Sequence, residues 1–114
     1  MLTIDKLKEF GVDTDSGIKR VMGKEDLYLS LVKTVPSNEG FAMLNEAVRA
    51  GDLDAAFEAA HGLKGILGNL DIKVLYDKLA DITEKLRARE ERDYSKELGE
   101  IEELRAELED IVRS

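Results

Sequence analysis

The chain has 114 residues, of which 43% are hydrophobic, 37% are charged and only 5% are aromatic. This length suits a single domain over residues 1–114 and leaves no room for a two-domain enzyme. Because the chain has no cysteine, disulfide scaffolds, thiol catalysis and cysteine-ligated metal sites are excluded. The formal net charge is −8, and the sequence contains no local basic stripe. We therefore expect no nucleic-acid partner.

The sequence shows neither a membrane span nor a secretory signal. No apolar run approaches the roughly 20 residues that a membrane span requires. The first residues alternate charged and apolar side chains, which is not the pattern of a signal peptide. We therefore expect a cytoplasmic protein that does not associate with membranes.

The hydrophobic spacing is helical almost throughout, and no stretch shows the period-2 alternation of a strand. Turn residues divide the chain into segments with short connections, which favours antiparallel neighbours. The predicted fold is all-α: an antiparallel up-and-down four-helix bundle with one or two extra short N-terminal helices. In chain order, the predicted segments are two short ones that stop at Gly11 and Gly23, one closed by Pro36, one ending at Gly51, and helices over about 53–70, about 72–89 and from about 93.

Local sequence also predicts two helix starts and one ion pair. Asp52 is a good N-cap for the helix over about 53–70, and residues 13–16 are rich in N-cap residue types. On the last helix, Arg105 is placed to pair with Glu109 within an acidic face. We interpret that acidic face as solvated surface.

Residues 51–72 carry the most information, because the only histidine of the chain, His61, and three glycines fall inside one predicted helix. Each of Gly62, Gly65 and Gly68 costs roughly 1 kcal/mol relative to alanine in a helix interior. A bundle domain has on the order of 5–15 kcal/mol of net stability, so this loss needs a compensating role.

At about 100° per residue, His61, Lys64, Gly65 and Gly68 lie on one stripe of this helix. The missing side chains at Gly65 and Gly68 let another surface approach the imidazole closely, and close helix–helix packing is the alternative explanation for them. The opposite face is the predicted core face, with Ile66 at its border, and consists of Ala56, Ala59, Ala60, Leu63, Leu67 and Leu70.

Phe57 lies one turn before His61 and on the same face. One interpretation is an apolar docking contact, since exposed aromatic residues favour interfaces. The other is packing under the segment that precedes Asp52. The sequence leaves both interpretations open.

The surroundings of His61 suit a nucleophile better than a catalytic triad. The chain has no second histidine, and the sequence places no serine hydroxyl near the ring. A neutral imidazole has a free lone pair, and a phosphoryl group attached to it would bring about two negative charges. Lys64, one turn away, is placed to stabilise that charge.

This segment resembles the histidine-containing phosphotransfer (HPt) domain family, whose motif is roughly A-H-x-L-K-G-x-x-x-N-[LI]-G. The stretches that begin at Gly11 and at Ala47 also resemble the family, so the resemblance spans about residues 11–90. The last helix matches the family in being a helix, but not by a motif. The residues that match the motif in register are Ala60, His61, Leu63, Lys64, Gly65, Asn69 and Leu70.

The resemblance implies that His61 accepts a phosphoryl group from the aspartyl phosphate of a response-regulator receiver domain and passes it to another receiver. It also implies that Lys64 supports the phosphoryl group and that Gly65 clears space for it. Phe57 and Gly68 are the residues that we expect to contact the receiver. The receiver would bring the Mg²⁺, so we expect a monomer with no metal site and no cofactor of its own. With no nucleotide-binding loop, the chain is not expected to be an autonomous kinase.

Three residues depart from the HPt pattern. Ile66 and Leu67 stand where the family commonly has small residues, and Asp71 replaces the usual glycine after Leu70. The two bulkier side chains predict a repacked core, whereas Asp71 is expected to cap the next helix. An alternative function is therefore an HPt-like scaffold or interaction bundle without phosphotransfer, whether natural or with a redesigned core.

A metal-carboxylate bundle is a further alternative. Glu58 and His61 have the Glu-x-x-His spacing of di-iron sites, which need two such motifs and two more glutamates that face inward. Because the chain has one histidine, only a symmetric dimer could supply the second motif.

Overall fold

The computed structural model describes residues 2–113, which form seven α-helices and no β-strand. The all-α fold predicted from the hydrophobic spacing is confirmed. The helices are α1 (Ile4–Phe10), α2 (Thr14–Arg20), α3 (Glu25–Lys33), α4 (Glu39–Arg49), α5 (Leu53–Asn69), α6 (Lys73–Arg87) and α7 (Ser95–Arg113).

Side-chain caps fix where several of these helices begin. The Asp13 carboxylate accepts a hydrogen bond from the backbone N–H of Ser16 at 3.2 Å, and that of Asp52 accepts one from Ala55 at 3.0 Å. Asn38 caps α4 in the same way at 2.7 Å. Each cap satisfies a backbone donor that the first helical turn leaves unpaired, and the predicted cap at Asp52 is confirmed.

The four longer helices α4–α7 form the bundle. Helix α5 packs against both α4 and α6, and α7 packs on α6. The connections 50–52 and 70–72 have three residues each, and such short turns make the joined helices antiparallel. Gly40 permits the close approach of α4 to α5, because a Cβ there would lie 2.8 Å from the Leu63 side chain.

One contiguous hydrophobic core joins the helices, and α5 contributes only one of its faces to it. The opposite face of α5 is therefore free to serve another purpose. The side chains of α4–α7 that are less than 2% exposed are Leu44, Ala56, Ala60, Leu63, Leu67, Leu75, Leu79, Ile82, Thr83, Leu86 and Leu108.

Three short helices precede the bundle, one more than the sequence led us to expect, and they pack across the turn between α5 and α6. The Tyr28 hydroxyl on α3 donates a hydrogen bond to the backbone C=O of Leu70 at 2.6 Å. The backbone N–H of Asp13 donates to the C=O of Asp71 at 2.9 Å. Burial is the main cause that raises the pKa of the Tyr28 phenol. These contacts fix the end of α5 that follows the histidine.

Asp71 does not cap α6, so that sequence prediction is wrong. The cap position of α6 is Ile72, and no side chain of the described residues bonds to the first turn there. The Asp71 carboxylate instead accepts a hydrogen bond from the Arg20 guanidinium at 2.8 Å. Its backbone has a left-handed φ of +54°, which is uncommon for a residue other than glycine. The Asp71 carboxylate, which the local sequence predicts as a helix cap, thus forms a long-range ion pair with α2 instead.

Ion pairs hold α7 against its neighbours. Arg105 pairs with Glu109 at 2.7 Å, which confirms the prediction, and it also donates to the backbone C=O of Pro36 at 3.0 Å. At the start of α7, the buried carboxylate of Glu97 accepts a hydrogen bond from Lys85 at 3.2 Å. These contacts tie α7 to the α3–α4 connection and to α6.

Candidate functional site

The exposed face of α5 carries the candidate site, because the pattern of the helix separates apolar from polar positions. Its buried residues, Ala56, Ala60, Leu63 and Leu67, lie on one side. His61 is near the middle of the 17-residue helix, and its side chain is exposed. The structure thus places the imidazole on the surface, away from the leucines, as the helical geometry predicted.

The imidazole of His61 is unencumbered by polar partners. It makes no hydrogen bond and no salt bridge to any residue between 2 and 113. Its ring stacks on that of Phe57, with ring centroids 5.6 Å apart and planes inclined by 12°. Neither ring nitrogen is therefore committed to a hydrogen bond within the described part of the chain.

Lys64 lies one turn beyond His61 and borders a surface cleft of about 420 Å³. Its ammonium has no carboxylate within salt-bridge distance among the residues described. Arg20 also lines the cleft, but it is neutralised by its 2.8 Å ion pair with Asp71. Lys64 therefore offers a positive charge to an incoming anion, and its predicted support of a phosphoryl group stays a prediction.

Gly62 and Gly65 form a bare patch beside His61. A Cβ at either position would have no heavy atom of the described chain within 4 Å, apart from the local helix backbone. Packing inside the protein thus does not require glycine at these two positions. Gly62 was not predicted as a site residue, although its place on the exposed side of the helical wheel is a signal that could have identified it.

Gly68 differs from the other two glycines of α5. A Cβ there would lie 3.0 Å from the ring of Tyr76 on α6. Close helix–helix packing, the alternative explanation considered for the glycines, accounts for this position. Gly68 also lines the cleft together with Lys64 and Gly65, so its predicted contact with a receiver stays a prediction.

Phe57 is half-buried and contacts groups that sequence reasoning did not identify. Its ring stacks on His61, and the guanidinium carbon of Arg87 lies 5.2 Å from its ring centroid. Arg87 is the last residue of α6. The surface around His61 therefore extends from α5 onto the end of the neighbouring helix.

Of the two departures in the middle of α5, only Leu67 belongs to the core. Leu67 is fully buried, whereas Ile66 is 37% exposed. The prediction that Ile66 alters the core is therefore wrong, because its side chain lies outside the hydrophobic core and is exposed to solvent. Ile66 instead adds an apolar side chain next to the bare glycine patch.

Two further properties concern metals and membranes. Within residues 2–113, no three histidine or carboxylate side chains are grouped so that they could hold a metal ion. Glu58, the acidic member of the Glu-x-x-His pair, is exposed on α5. In the same part of the chain, no helix combines the length and apolar character needed to cross a membrane.

A family model described as Hpt domain matches residues 37–114, more than half of the chain. The match contains α4–α7, including the last helix, whereas residues 11–36, where a resemblance was also expected, lie outside it. No curated protein and no solved structure matches the chain significantly. Because the match spans the bundle that presents His61, the chain belongs to the Hpt domain family.

Proposed function

We propose that this protein is a phosphorelay intermediate in which His61 accepts a phosphoryl group from one receiver domain and passes it to another. One observation carries the proposal: an exposed imidazole without a polar partner in residues 2–113 lies one turn from Lys64, whose charge is unpaired there. Hpt domains act in phosphotransfer and interact with the receiver domains of response regulators.

The proposed step needs only a nucleophile on this chain. A lone pair on an unprotonated ring nitrogen of His61 attacks the phosphorus of the receiver's aspartyl phosphate. A nitrogen–phosphorus bond forms, the bond between phosphorus and the aspartate oxygen breaks, and the carboxylate leaves with that electron pair. The reverse reaction loads a second receiver, and Mg²⁺ in both steps belongs to the receiver. Such transfers depend mainly on positioning and electrostatics.

Lys64 is proposed to stabilise the phosphorylated state. Phosphorylation adds about −1.5 to −2 charges near neutral pH, and an ammonium interacts with a phosphoryl group as a point charge. Because Lys64 has no salt-bridge partner among the residues described, its interaction with the phosphoryl group would not require another ion pair to break.

The bare patch is proposed to admit the receiver. Gly65 lies one turn beyond His61, and Gly62 is adjacent to it in the chain, so the receiver could approach the helix backbone at both positions. Phe57 and Gly68 border this surface on the side of α6. We propose that Gly68 contributes to the receiver contact.

The proposal is tested by transfer from receivers charged with a small phosphodonor. Receiver domains are first phosphorylated with acetyl phosphate and Mg²⁺, freed of the donor, and then mixed with the wild-type chain or with His61→Gln. We expect acid-labile phosphate to appear on the wild-type chain and not on His61→Gln, because a phosphoryl group on an imidazole nitrogen is acid-labile and His61 is the only histidine of the chain.

Two outcomes contradict the proposal. Acid-labile phosphate on His61→Gln would assign the acceptor to another residue. A folded wild-type chain that takes no phosphate from any receiver, or from phosphoramidate, would favour the alternative of a non-catalytic scaffold or interaction bundle. Circular dichroism of both proteins shows whether they are folded.

A further inference from the structure

The exposed imidazole of His61 stacks on the ring of Phe57. The two rings are nearly parallel, with planes inclined by 12° and centroids 5.6 Å apart. Residues four apart on a helix are neighbours on its surface, so the contact follows from the register of α5. Since no residue between 2 and 113 forms a hydrogen bond with the imidazole, we expect the stack to restrict its rotation.

Phe57 is itself held in place from two directions. Its side chain is half-buried and packs against the hydrophobic core. The guanidinium carbon of Arg87 lies 5.2 Å from the ring centroid, which is within the range of a cation–π contact. Helix α6 thus helps to fix an aromatic ring that in turn contacts the histidine of α5.

We propose that Phe57 is a positioning residue for phosphotransfer, which holds the His61 imidazole in one orientation and is itself held by Arg87. The inference rests on the proposed function of His61. In-line attack on phosphorus requires the ring nitrogen to point along one direction, and misplacement of a reacting group lowers the rate. An exposed histidine on a helix otherwise samples two main χ1 wells, because the well near +60° clashes with the preceding turn, and two main ring orientations.

Loss of the stack therefore has a bounded effect. If the four or so rotameric states become comparably populated, the fraction in the reactive orientation falls, and we expect a rate about two- to fourfold lower. Because Phe57 would act on the imidazole and not on the phosphodonor, its loss should lower the rate of phosphorylation by a similar factor with a receiver and with a small molecule. A docking contact would instead affect the receiver reaction alone.

The test compares Phe57→Leu with Phe57→Tyr, using phosphoramidate as a small phosphodonor and a phosphorylated receiver as the large one. Phe57→Leu removes the aromatic ring but keeps an apolar side chain against the core, whereas Phe57→Tyr keeps the ring. We expect Phe57→Leu to lower the rate with both donors and Phe57→Tyr to restore it. Arg87→Gln, which is exposed and leaves the core intact, should give a smaller loss with both donors.

Nuclear magnetic resonance provides a readout that does not depend on phosphorylation. The ring protons of His61 should show a ring-current shift in the wild-type chain and in Phe57→Tyr, and lose it in Phe57→Leu. Folding of each variant is followed by thermal unfolding. This measurement separates a change in ring orientation from a general loss of structure.

Different results overturn the inference and the proposed function. A folded Phe57→Leu chain that reacts with phosphoramidate at the wild-type rate refutes positioning, and a loss with the receiver alone assigns Phe57 to docking. Unchanged His61 resonances in Phe57→Leu refute the stack itself. A wild-type chain that takes phosphate from neither donor refutes the proposed function, and the positioning role with it, whatever the resonances show.

Discussion

Gly65→Ala is expected to make the domain more stable and a poorer phosphotransfer protein. Gly65 lies inside α5 with a right-handed backbone, and a Cβ there would meet no heavy atom of the described chain within 4 Å beyond the local backbone. Alanine therefore gains helix propensity without a clash, which is worth about 1 kcal/mol. For a domain of 114 residues, this corresponds to a rise in melting temperature of about 4 °C.

The same methyl group should hinder the receiver. It would project from the exposed face one turn beyond His61, where a partner has direct access to the backbone. Crowding of a fitted contact by one methyl costs about 1 to 2 kcal/mol, which corresponds to a loss of about 5- to 30-fold in the rate of transfer at low receiver concentration. Stability and transfer should therefore change in opposite directions.

Gly99→Ala is the matched control. Gly99 is also exposed inside a helix, α7, and a Cβ there would likewise have no described heavy atom within 4 Å outside the helix backbone. Thermal unfolding and single-turnover transfer from a phosphorylated receiver are measured for both variants. We expect both to be stabilised and only Gly65→Ala to lose transfer. A stabilised Gly65→Ala that transfers at the wild-type rate would refute the role of the bare patch, and no gain in stability would refute the packing argument.

Three further changes test the site and its support. Lys64→Ala should fold normally but lose phosphate from His61 faster than the wild-type chain; equal rates of loss, measured on isolated phosphoprotein, would contradict its role. Gly68→Ala should be about 1 kcal/mol less stable than Gly65→Ala in urea unfolding, because its Cβ would lie 3.0 Å from the ring of Tyr76. Burial raises the pKa of Glu97, but hydrogen bonds from its own backbone and Lys85 and the charge of Arg92 outweigh this and lower it overall. The ionised form thus stabilises the fold above the ordinary carboxyl pKa of about 4.3, and this is lost as the pH falls through the lower folded-state pKa. In urea unfolding, the free energy of unfolding of Glu97→Gln should fall furthest below that of the wild-type chain above about pH 5, and the difference should shrink below about pH 4. A difference that does not depend on pH would contradict this.

The limits and faces of α5 could be predicted because local rules determine them. Gly51 has a positive φ of 73° and Asp52 caps the next turn, so the helix begins where the sequence indicates. The apolar residues of α5 recur at helical spacing, which separates its core face from the face of His61 without any knowledge of the neighbouring helices. Both features depend only on residues within a few positions of each other.

The errors arise where a distant residue competes with a local rule. The Asp71 carboxylate was expected at the start of α6, but Arg20, which is 51 positions away, pairs with it. Ile66 was expected to change the core, but Leu63 is the α5 residue that packs against Gly40 of α4, and Ile66 is exposed. In both cases the packing of distant parts of the chain determined the outcome, and no local sequence motif marks that packing.

The contact of Phe57 with Arg87 depends on the register of the α5–α6 hairpin. Most of that register can be worked out from the sequence. Gly68 and Tyr76 lie four positions before and after residue 72, and Phe57 and Arg87 lie fifteen positions before and after it. A short antiparallel turn centred there therefore brings both pairs together. Once the turn at 70–72 is known, the pairing of Phe57 with the end of α6 follows. Tyr28 and Arg20, which lie outside the matched Hpt range, bond to this turn. The turn also determines which α6 residues border the surface of His61.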